Sequence, residues 1–224
     1  METLTGSGCF TAHLMTRRWL APGILELRLA RPAGLTFVPG QFLRFVMDGY
    51  ERDYTLVSSP EAATIDFCIA LVDQGRFSRD ILRADIGTAF QLCGPQGYFA
   101  FQGSANPAVF VATGTGVAPF VAFARSGVQD ALLLHGVRAP GELIYRSLLQ
   151  SRLRGYVACI SRPVEAGPDL APTFSGRVTR YLNSELRPGV FDFYLCGRPA
   201  MIRDVTRVID EKFSDSRLFV EAYD

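Results

Sequence analysis

The first half of the chain, up to about Phe101, is a series of short apolar or alternating stretches. Proline and glycine separate them, as at Pro39-Gly40 and Gly94-Pro95, and one segment, Phe77–Ala84, has a helical pattern. Closely spaced strands between turn signals predict an antiparallel barrel or sandwich. The predicted strands are Cys9–Thr16, Ile24–Ala30, Phe42–Met47, Tyr54–Ser58, Ile65–Val72 and Ala89–Cys93.

The second half follows a different pattern, which begins after the polar stretch Gln102–Pro107. Compact apolar runs alternate with helical candidates, which predicts a parallel sheet covered by helices on both faces. We therefore expect two domains, an antiparallel β-barrel over residues 1–104 and an α/β domain with a five-stranded parallel sheet over residues 105–224. The predicted strands are Val109–Ala112, Ala131–His135, Tyr156–Ile160, Phe193–Cys196 and Leu218–Val220, and the predicted helices are Pro119–Arg125, Glu142–Arg152, Arg177–Glu185 and Pro199–Phe213.

Composition and charge exclude several classes of protein. The chain has 224 residues and a formal net charge of +1, so neither nucleic acid nor a membrane surface is an expected partner. No apolar run reaches the length of about 18 residues that predicts a transmembrane helix, and Met1–Phe10 lacks the pattern of a signal peptide. Five scattered cysteines without a Cys-x-x-Cys pair argue against structural zinc, an iron–sulfur cluster or a disulfide framework. We expect a reduced cytoplasmic protein, most simply a monomer, without a metal centre.

The segment Arg52–Ser58 is the first candidate for chemistry, with the sequence Arg-Asp-Tyr-Thr-Leu-Val-Ser. In a strand, Arg52, Tyr54 and Leu56 share one face, while Asp53 and Thr55 point the other way. An arginine fork suits a diphosphate, and a tyrosine suits a flat ring or a sugar chain. The segment by itself fits equally well a surface arginine beside a half-buried tyrosine.

The second candidate is a glycine-rich turn, Thr113-Gly114-Thr115-Gly116, directly after the apolar run Val109–Ala112. A buried strand that ends in glycines and leads into a helix is a common phosphate site, because the backbone can approach the ligand and the helix offers free N–H groups. Pro119 suits the first turn of that helix. The alternative is a tight strand-to-helix turn without a ligand.

Together the two motifs resemble the ferredoxin–NADP(H) reductase family, and the resemblance runs through essentially the whole chain. It is closest to bacterial-type members, with an end similar to that of plant-type members. Four further segments are similar to family motifs in the same order, namely Phe37–Phe42, Gly94–Phe99, Tyr194–Met201 and Val220–Tyr223.

The resemblance implies a set of flavin-binding residues in the first domain. Arg52 would bind the diphosphate of FAD, Tyr54 and Leu56 would lie beside the flavin, and Thr55 would lie near flavin N5. Gly75 and Ser78, at the start of the short helix, would form a second phosphate site. FAD is the family's usual flavin, although Arg52 would also suit FMN. For Ser78 the alternative is an ordinary serine at a helix start.

The resemblance also implies nicotinamide-binding residues in the second domain. Thr113, Gly114, Thr115 and Gly116 would form the diphosphate turn, and Cys196 and Gly197 would lie near the nicotinamide. Glu221 would lie near the site of hydride transfer, and Tyr223 would cover the flavin face on which nicotinamide stacks. With Thr55 and Cys196, these two residues complete the predicted catalytic set. Cys196 alone would be interpreted as a small buried residue, and one further residue, Asp224, follows Tyr223.

Three arginines favour NADP(H) over NAD(H). Arg138 and Arg162 follow successive predicted strands, and Arg177 opens a predicted helix. The bacterial branch of the family places arginines at these points against the adenosine phosphate, and the strand ends of a parallel sheet suit such a ligand. The alternative is that each is a solvated arginine. The spacing from Arg162 to Arg177 is longer than in typical members, so Arg177 is the weakest of the three assignments.

The resemblance implies hydride transfer from NADPH to FAD, followed by single-electron transfer to a ferredoxin or flavodoxin. Two other enzyme classes remain open: a reductase that treats flavin as a substrate, and an oxygenase reductase component that needs a separate iron–sulfur partner. A non-catalytic flavin-binding electron-transfer subunit is the alternative outside the enzymes. An acidic carrier would find a docking face in arginines that could equally be solvated, namely Arg17, Arg18, Arg76, Arg79 and Arg83.

Overall fold

A computed structural model of the chain describes residues 8–162 and 173–223. Among these residues, those up to Phe101 together with Ala118–Ser126 form one compact unit. Gln102–Val117 and the residues from Gly127 onward form the second. The domain limits at residues 104 and 105 stay a prediction, since this division falls after Phe101 and assigns Ala118–Ser126 to the first unit.

The first unit consists mainly of six antiparallel strands, in the order β4-β3-β6-β1-β2-β5. Leu56, directly after β4, forms a bridge with Phe67 of β5, which joins the two ends of this order. The sheet therefore closes into the predicted barrel. Its elements are β1 (Cys9–Ala21), β2 (Ile24–Ala30), β3 (Phe42–Met47), β4 (Tyr50–Thr55), β5 (Thr64–Ala70), α1 (Arg76–Arg83) and β6 (Ala89–Gln96).

Phe45 of β3 lies at the centre of the barrel core. Its fully buried ring makes edge contacts with four other aromatic rings, those of Tyr54, Phe67, Phe77 and Phe90. Such edge contacts stabilise an aromatic core beyond the area that the rings bury. The core therefore links the strand that carries Tyr54 to the helix that carries Phe77.

Strand β4 is placed differently from the prediction. It begins at Tyr50 instead of Tyr54 and ends at Thr55 instead of Ser58, because Met47 and Tyr50 pair across a tight hairpin. Gly49 in that hairpin has a φ of +74°, a conformation that glycine adopts at little cost. Val57 still donates its N–H to the carbonyl of Asp66, so the chain stays extended beyond β4.

The second unit contains a parallel sheet of six strands in the order β10-β9-β8-β7-β11-β12. This arrangement confirms the predicted fold class. The helix α2 (Ala118–Arg125), which follows β7, belongs to the first unit. The elements of the second unit are β7 (Ala108–Thr113), β8 (Ala131–Val137), α3 (Arg146–Arg152), β9 (Gly155–Ile160), β10 (Thr173–Ser175), α4 (Val178–Ser184), β11 (Asp192–Gly197), α5 (Pro199–Lys212) and β12 (Arg217–Ala222).

Two local features of this unit differ from the expectation. The edge strand β10 adds a sixth strand to the five predicted, and it has only three residues with no apolar run to signal it. Helix α3 begins at Arg146 instead of Glu142. Pro140–Glu142 form a separate single turn, and Tyr145 has a φ of +55°, which a continuous right-handed helix does not allow.

The expectation that the cysteines are reduced is wrong for one pair. Cys9 of β1 and Cys93 of β6 are register partners in the barrel and are joined by a disulfide. They lie 84 positions apart in the sequence, so only the register of the two strands reveals the pair. Across residues 8–162 and 173–223, no helix has both the length and the apolar character needed to cross a membrane.

Candidate functional site

Arg52 stands at the surface of the barrel on β4. Its Nη1 donates to the carbonyl of Glu51 at 2.6 Å, and its guanidinium lies 5.6 Å from the centre of the Tyr50 ring. The side chain is exposed. A fork of N–H donors in this position is chemically suited to a phosphate group.

Tyr54 connects the strand to the start of α1. Its ring stacks on Phe77 at 4.9 Å with an angle of 26° between the planes, and it meets Phe45 edge-on at 5.6 Å. Burial raises the pKa of Tyr54 above its ordinary value, so the phenol stays neutral. The structure thus brings the strand with Arg52 and Tyr54 next to the helix that carries Ser78.

The start of α1 is tightly built around Gly75 and Ser78. The Ser78 hydroxyl accepts the N–H of Val72 at 2.8 Å and is almost fully buried. A Cβ on Gly75 would lie 3.1 Å from the carbonyl oxygen of Val72 and 3.2 Å from Ser78 Oγ. Ser78 therefore holds the preceding loop, and its role toward a flavin phosphate stays a prediction.

The other face of β4 is occupied by Asp53 and Thr55. Both carboxylate oxygens of Asp53 accept from Arg44, its register partner on β3, at 2.7 and 2.8 Å. These hydrogen bonds raise the pKa of the Arg44 guanidinium above its ordinary value. Thr55 is buried, and Leu56 donates its N–H to the carbonyl of Gln41 at 3.0 Å. Asp53 is thus part of an ion pair between neighbouring strands.

The sequence analysis did not identify Tyr50 and Arg76 as members of this region. Tyr50 donates its O–H to Asp80, and its ring lies 4.7 Å from the Arg76 guanidinium. Burial and the Asp80 hydrogen bond raise the pKa of Tyr50 to about 12. A signal existed, because Tyr50 precedes Arg52 by two positions and so shares its face of the strand.

A cleft of about 590 Å³ lies beside the C-terminal half of α1, between that helix and the barrel strands. Asp80 and Arg83 of the helix line it together with Asp48 and Gln91. None of the predicted flavin-binding residues lines this cleft. The cleft is therefore separate from the residues predicted to bind the flavin.

The glycine turn of the second unit is a single tight helical turn, Gly114–Val117, directly after β7. A Cβ on Gly116 would lie 2.3 Å from the carbonyl oxygen of Cys196, so only glycine fits there. Gly114 has a φ of +54°, and no atom lies within 4 Å of where its Cβ would be. The turn is thus packed against the sheet at Gly116 and open at Gly114.

Thr113 carries an unsatisfied hydroxyl at this turn. Its Oγ1 is buried and has no hydrogen-bond partner in the described part of the chain. A Cβ on Gly197, which has a φ of +144°, would lie 2.3 Å from that oxygen. A buried polar atom without a partner requires an explanation, and a polar ligand group is one that fits this turn.

Cys196, Glu221 and Tyr223 are brought together at the carboxyl ends of β11 and β12. Cys196 and Glu221 are register partners, and Tyr223 donates its N–H to the carbonyl of Gly197 at 3.0 Å. Burial raises the pKa of the Cys196 thiol, while a hydrogen bond with the Tyr223 side chain opposes that effect. The thiol is therefore neutral and held by Tyr223. Asp224 lies outside the described residues.

The three arginines predicted to bind a phosphate are all exposed, and each lies shortly after the carboxyl end of a strand of the parallel sheet. Arg138 follows β8, Arg162 follows β9, and Arg177 precedes α4. Arg162 donates its N–H to the carbonyl of Arg138 at 3.1 Å, which brings the first two backbones together. The prolines between Arg162 and Arg177 fall within residues 163–172, outside the described part of the chain.

Comparison with known proteins identifies the family. Residues 22–101 match the oxidoreductase FAD-binding domain, and residues 110–207 match the oxidoreductase NAD-binding domain. Ferredoxin–NADP reductase B of Sorangium cellulosum is 31% identical over 186 residues, which cover 75% of this chain and 73% of that protein. The chain belongs to the ferredoxin-reductase-type family of FAD- and NAD-binding oxidoreductases, as its motifs predicted.

The relatives include more than one kind of electron-transfer protein. The toluate 1,2-dioxygenase electron transfer component of Pseudomonas putida is 30% identical over 199 residues, which cover 83% of this chain. The chain spans 58% of the length of that relative. Family membership therefore establishes an oxidoreductase with an FAD-binding domain and an NAD-binding domain.

Solved structures show the same fold along nearly the whole chain. A ferredoxin NADP+ reductase from Neisseria gonorrhoeae with bound FAD and NADP gives a TM-score of 0.80 at 22% identity, covering 96% of this chain and 98% of that chain. A cytochrome P450 reductase from Amycolatopsis gives a TM-score of 0.81 at 23% identity, covering 96% of this chain and 70% of that chain. At these identities the similarity concerns the fold.

Proposed function

We propose that this protein is a ferredoxin- or flavodoxin–NADP(H) oxidoreductase, which passes electrons between NADPH and a one-electron protein carrier through bound FAD. The observation that carries the proposal is the pair of sites on one chain, an exposed arginine fork on β4 and an open glycine turn after β7. The similarity along 73% of a ferredoxin–NADP reductase supports it.

In the barrel, each residue of the candidate site has a role in binding the flavin. Arg52, Gly75 and Ser78 hold the diphosphate, and Tyr54, Thr55 and Leu56 position the ring system. The Tyr54 ring can do so rigidly because Phe77 and Phe45 pack against it. FAD, when bound, supplies the exchange between two-electron and one-electron chemistry.

In the second unit, we assign binding of the nucleotide diphosphate to Gly114, Thr115 and Gly116 and to the unsatisfied hydroxyl of Thr113. Cys196, Gly197 and Glu221 shape the position of the nicotinamide, and Tyr223 must leave its place beside Cys196 to admit it. The buried thiol of Cys196 keeps its proton, because burial raises its pKa. The Cys196 thiol therefore orients the nicotinamide and does not act as a base.

Preference for NADP(H) is assigned to Arg138, Arg162 and Arg177. Their exposure at the strand ends suits an extra phosphate, which several guanidinium groups can bind through charge-assisted hydrogen bonds. The backbone hydrogen bond between Arg162 and Arg138 keeps two of these arginines close to each other.

The docking face for the carrier is narrower than the five arginines of the sequence suggest. Arg17 donates to carbonyls at the C-terminal end of α1, Arg18 pairs with Glu26, and Arg76 bonds to the carbonyl of Asp48. Arg79 and Arg83 are exposed one turn apart on α1. We assign the attraction of an acidic carrier to this pair.

A second candidate is the reductase component of an oxygenase, which the 30% identity to the toluate dioxygenase component favours. It would use the same two sites with a different acceptor. Turnover with separately purified ferredoxin, flavodoxin and oxygenase iron–sulfur proteins distinguishes the two candidates. The predicted monomeric state is tested by sedimentation of the same preparation.

The decisive experiment is anaerobic stopped-flow reduction with NADPH and NADH in parallel, after chromatography of the released flavin. We expect FAD, retained on desalting, and loss of its visible absorbance with NADPH at least about tenfold more efficiently than with NADH, equivalent to about 1.4 kcal/mol. Arg162→Ala should reduce this preference, whereas Arg154→Ala, in a surface ion pair with Asp130, should not. Flavin that neither nucleotide reduces would identify a non-catalytic subunit, and flavin lost on desalting would identify a flavin reductase.

The cytoplasmic location expected from the sequence is part of this proposal and has its own test. A reducing cytoplasm disfavours structural disulfides, whereas the structure joins Cys9 and Cys93. Thiol labelling of the protein in freshly opened cells would show both cysteines reduced if the location is correct.

A further inference from the structure

The glycine turn has a polar support that the family motifs do not include. His135 of β8 is completely buried, and its Nε2 lies 3.4 Å from the carbonyl oxygen of Gly114. Its Nδ1 lies 3.0 Å from the Tyr156 hydroxyl on β9. A buried histidine thus connects the turn to the neighbouring strand.

The two contacts fix the state of the imidazole. A carbonyl oxygen only accepts hydrogen bonds, so Nε2 must carry the proton that it donates to Gly114. Nδ1 is then the acceptor for the Tyr156 O–H. Burial lowers the pKa of His135 to about 4, so the ring is neutral at neutral pH, as this arrangement requires.

The contact with Gly114 determines the direction of the next N–H group. The only cis peptide among the described residues precedes Pro95, so the peptide between Gly114 and Thr115 is trans. In a trans peptide the C=O and N–H groups point in opposite directions. A Gly114 carbonyl held toward His135 therefore directs the Thr115 N–H away from His135.

His135 belongs to a row of register partners that crosses the sheet. Cys196, Ala112, His135 and Ala158 are successive register partners on β11, β7, β8 and β9. Gly116 packs against the backbone of Cys196 at one end of the row, and Gly114 contacts His135 near the other. Gly114 needs this second contact, since a glycine with open space around it can change its backbone angles at little cost.

We propose that His135 and Tyr156 form a positioning pair that holds the Gly114–Thr115 peptide in the orientation that binds the diphosphate of a nicotinamide nucleotide. This inference rests on the nucleotide-binding role proposed above for the turn. Neither residue touches the nucleotide; His135 acts through the Gly114 carbonyl, and Tyr156 acts through the imidazole.

The test measures binding of NADP+ to the FAD-loaded protein by isothermal titration calorimetry, together with kcat and KM for NADPH. His135→Phe should raise the Kd about tenfold and Tyr156→Phe about threefold, as expected for lost hydrogen bonds. The change should appear in KM, with kcat at saturation within about twofold, because the pair acts on binding. His135→Gln, which keeps an N–H donor, should bring the Kd back to within about threefold of the wild type.

The matched control is Leu133→Val, on the same face of β8 two positions earlier and equally buried. It should lower the melting temperature and leave the Kd unchanged. Wild-type affinity in a folded, FAD-loaded His135→Phe protein would overturn the inference, and if that variant does not fold, wild-type affinity in Tyr156→Phe would do so. A wild-type protein that binds neither NADP+ nor NAD+ would overturn the proposed function as well.

Discussion

The barrel site and the glycine-turn site use different parts of the chain to meet a ligand. On the barrel, the candidate contacts are side chains of β4, namely those of Tyr50 and Arg52, which share one face of the strand. In the parallel-sheet unit, the candidate contacts are backbone groups of Gly114–Gly116, and the side chains below them are buried.

This difference decides where each site is sensitive. A site made of side chains depends on the identity of Arg52 and on a stable strand beneath it. A site made of backbone depends on atoms that are absent, such as a Cβ at Gly116, and on buried partners that orient its peptides. The two sites should therefore respond to different substitutions, which the following experiments test.

The largest expected effect is on the stability of the barrel, through its disulfide. Cys93→Ser removes a link that closes a segment of 84 residues between β1 and β6. The chain-entropy relation gives a loss of up to about 4.6 kcal/mol in the free energy of unfolding. Guanidinium denaturation, monitored through the release of flavin, measures this loss.

Reductant provides the control for this substitution. It should destabilise the wild type by a similar amount and leave Cys93→Ser unchanged. Binding of NADP+ at low denaturant should be the same in both proteins, because the disulfide lies in the other unit. Equal stability of wild type and variant under oxidising conditions would show that the bond does not form in solution.

The second effect concerns the buried support of the glycine turn. His135 has a lowered native pKa of about 4, whereas in the unfolded chain it returns to about 6.5. Between these values the unfolded chain binds a proton that the native protein does not, so stability falls as the pH is lowered from about 6.5 to about 4. The loss attributable to His135 is about 3 kcal/mol over this window.

Comparison with His135→Gln isolates this contribution from the other titrating groups. Tyr156, the partner of His135, stays neutral throughout, because burial raises its pKa. The difference in unfolding free energy between the two proteins should be constant above pH ~7 and shrink below it by about 1.4 kcal/mol per unit. Parallel pH profiles would mean that the pKa of His135 is not lowered in the native state.

Sequence reasoning predicted those parts of the molecule whose signal is local. Strands β2 and β3 have the predicted limits, because alternating residues record which face is buried. The turn at Gly114–Gly116 was visible because glycine is required where backbones approach closely, as Gly116 approaches Cys196. Tyr54 was selected by its position in a motif, and its role toward a flavin stays a prediction.

The supports of both sites depend on pairings between distant segments. His135 and Tyr156 are 21 positions apart, and Arg125 and Val57 are 68 positions apart. Such pairs can be predicted only when the register of the strands and the placement of the helices are known. The local sequence pattern records neither. The sequence therefore predicted two candidate ligand-binding segments, but not the contacts that hold those segments in place.

The third effect is on nucleotide binding through Gly116→Ala. The added Cβ would lie 2.3 Å from the Cys196 carbonyl oxygen, so the turn must move away from the sheet. A displacement of about 1 Å in a binding group can reduce catalytic efficiency about a hundredfold. We expect this reduction in kcat/KM for NADPH, with FAD content unchanged.

Gly141→Ala is the matched control for this substitution. Gly141 lies in another short turn of the same unit, where a Cβ would meet no atom within 4 Å. It should leave kcat/KM within about twofold, as expected of surface substitutions away from special features. Loss of FAD from Gly116→Ala would show that the two sites do not respond separately.

The smallest expected effect is on stability, through Arg125 and the two buried carboxylates near it. Arg125 of α2 donates to the carbonyl of Val57 at 2.8 Å and lies 3.7 Å from Glu26 and 3.8 Å from Asp66, both almost fully buried. Arg125→Met should cost about 2 kcal/mol, the scale of a hydrogen bond to a charged group. Arg154→Met, which breaks an exposed pair with Asp130, should cost under about 1 kcal/mol. Equal costs in chemical denaturation would mean that Arg28 and Arg18, which also pair with these carboxylates, are sufficient without Arg125.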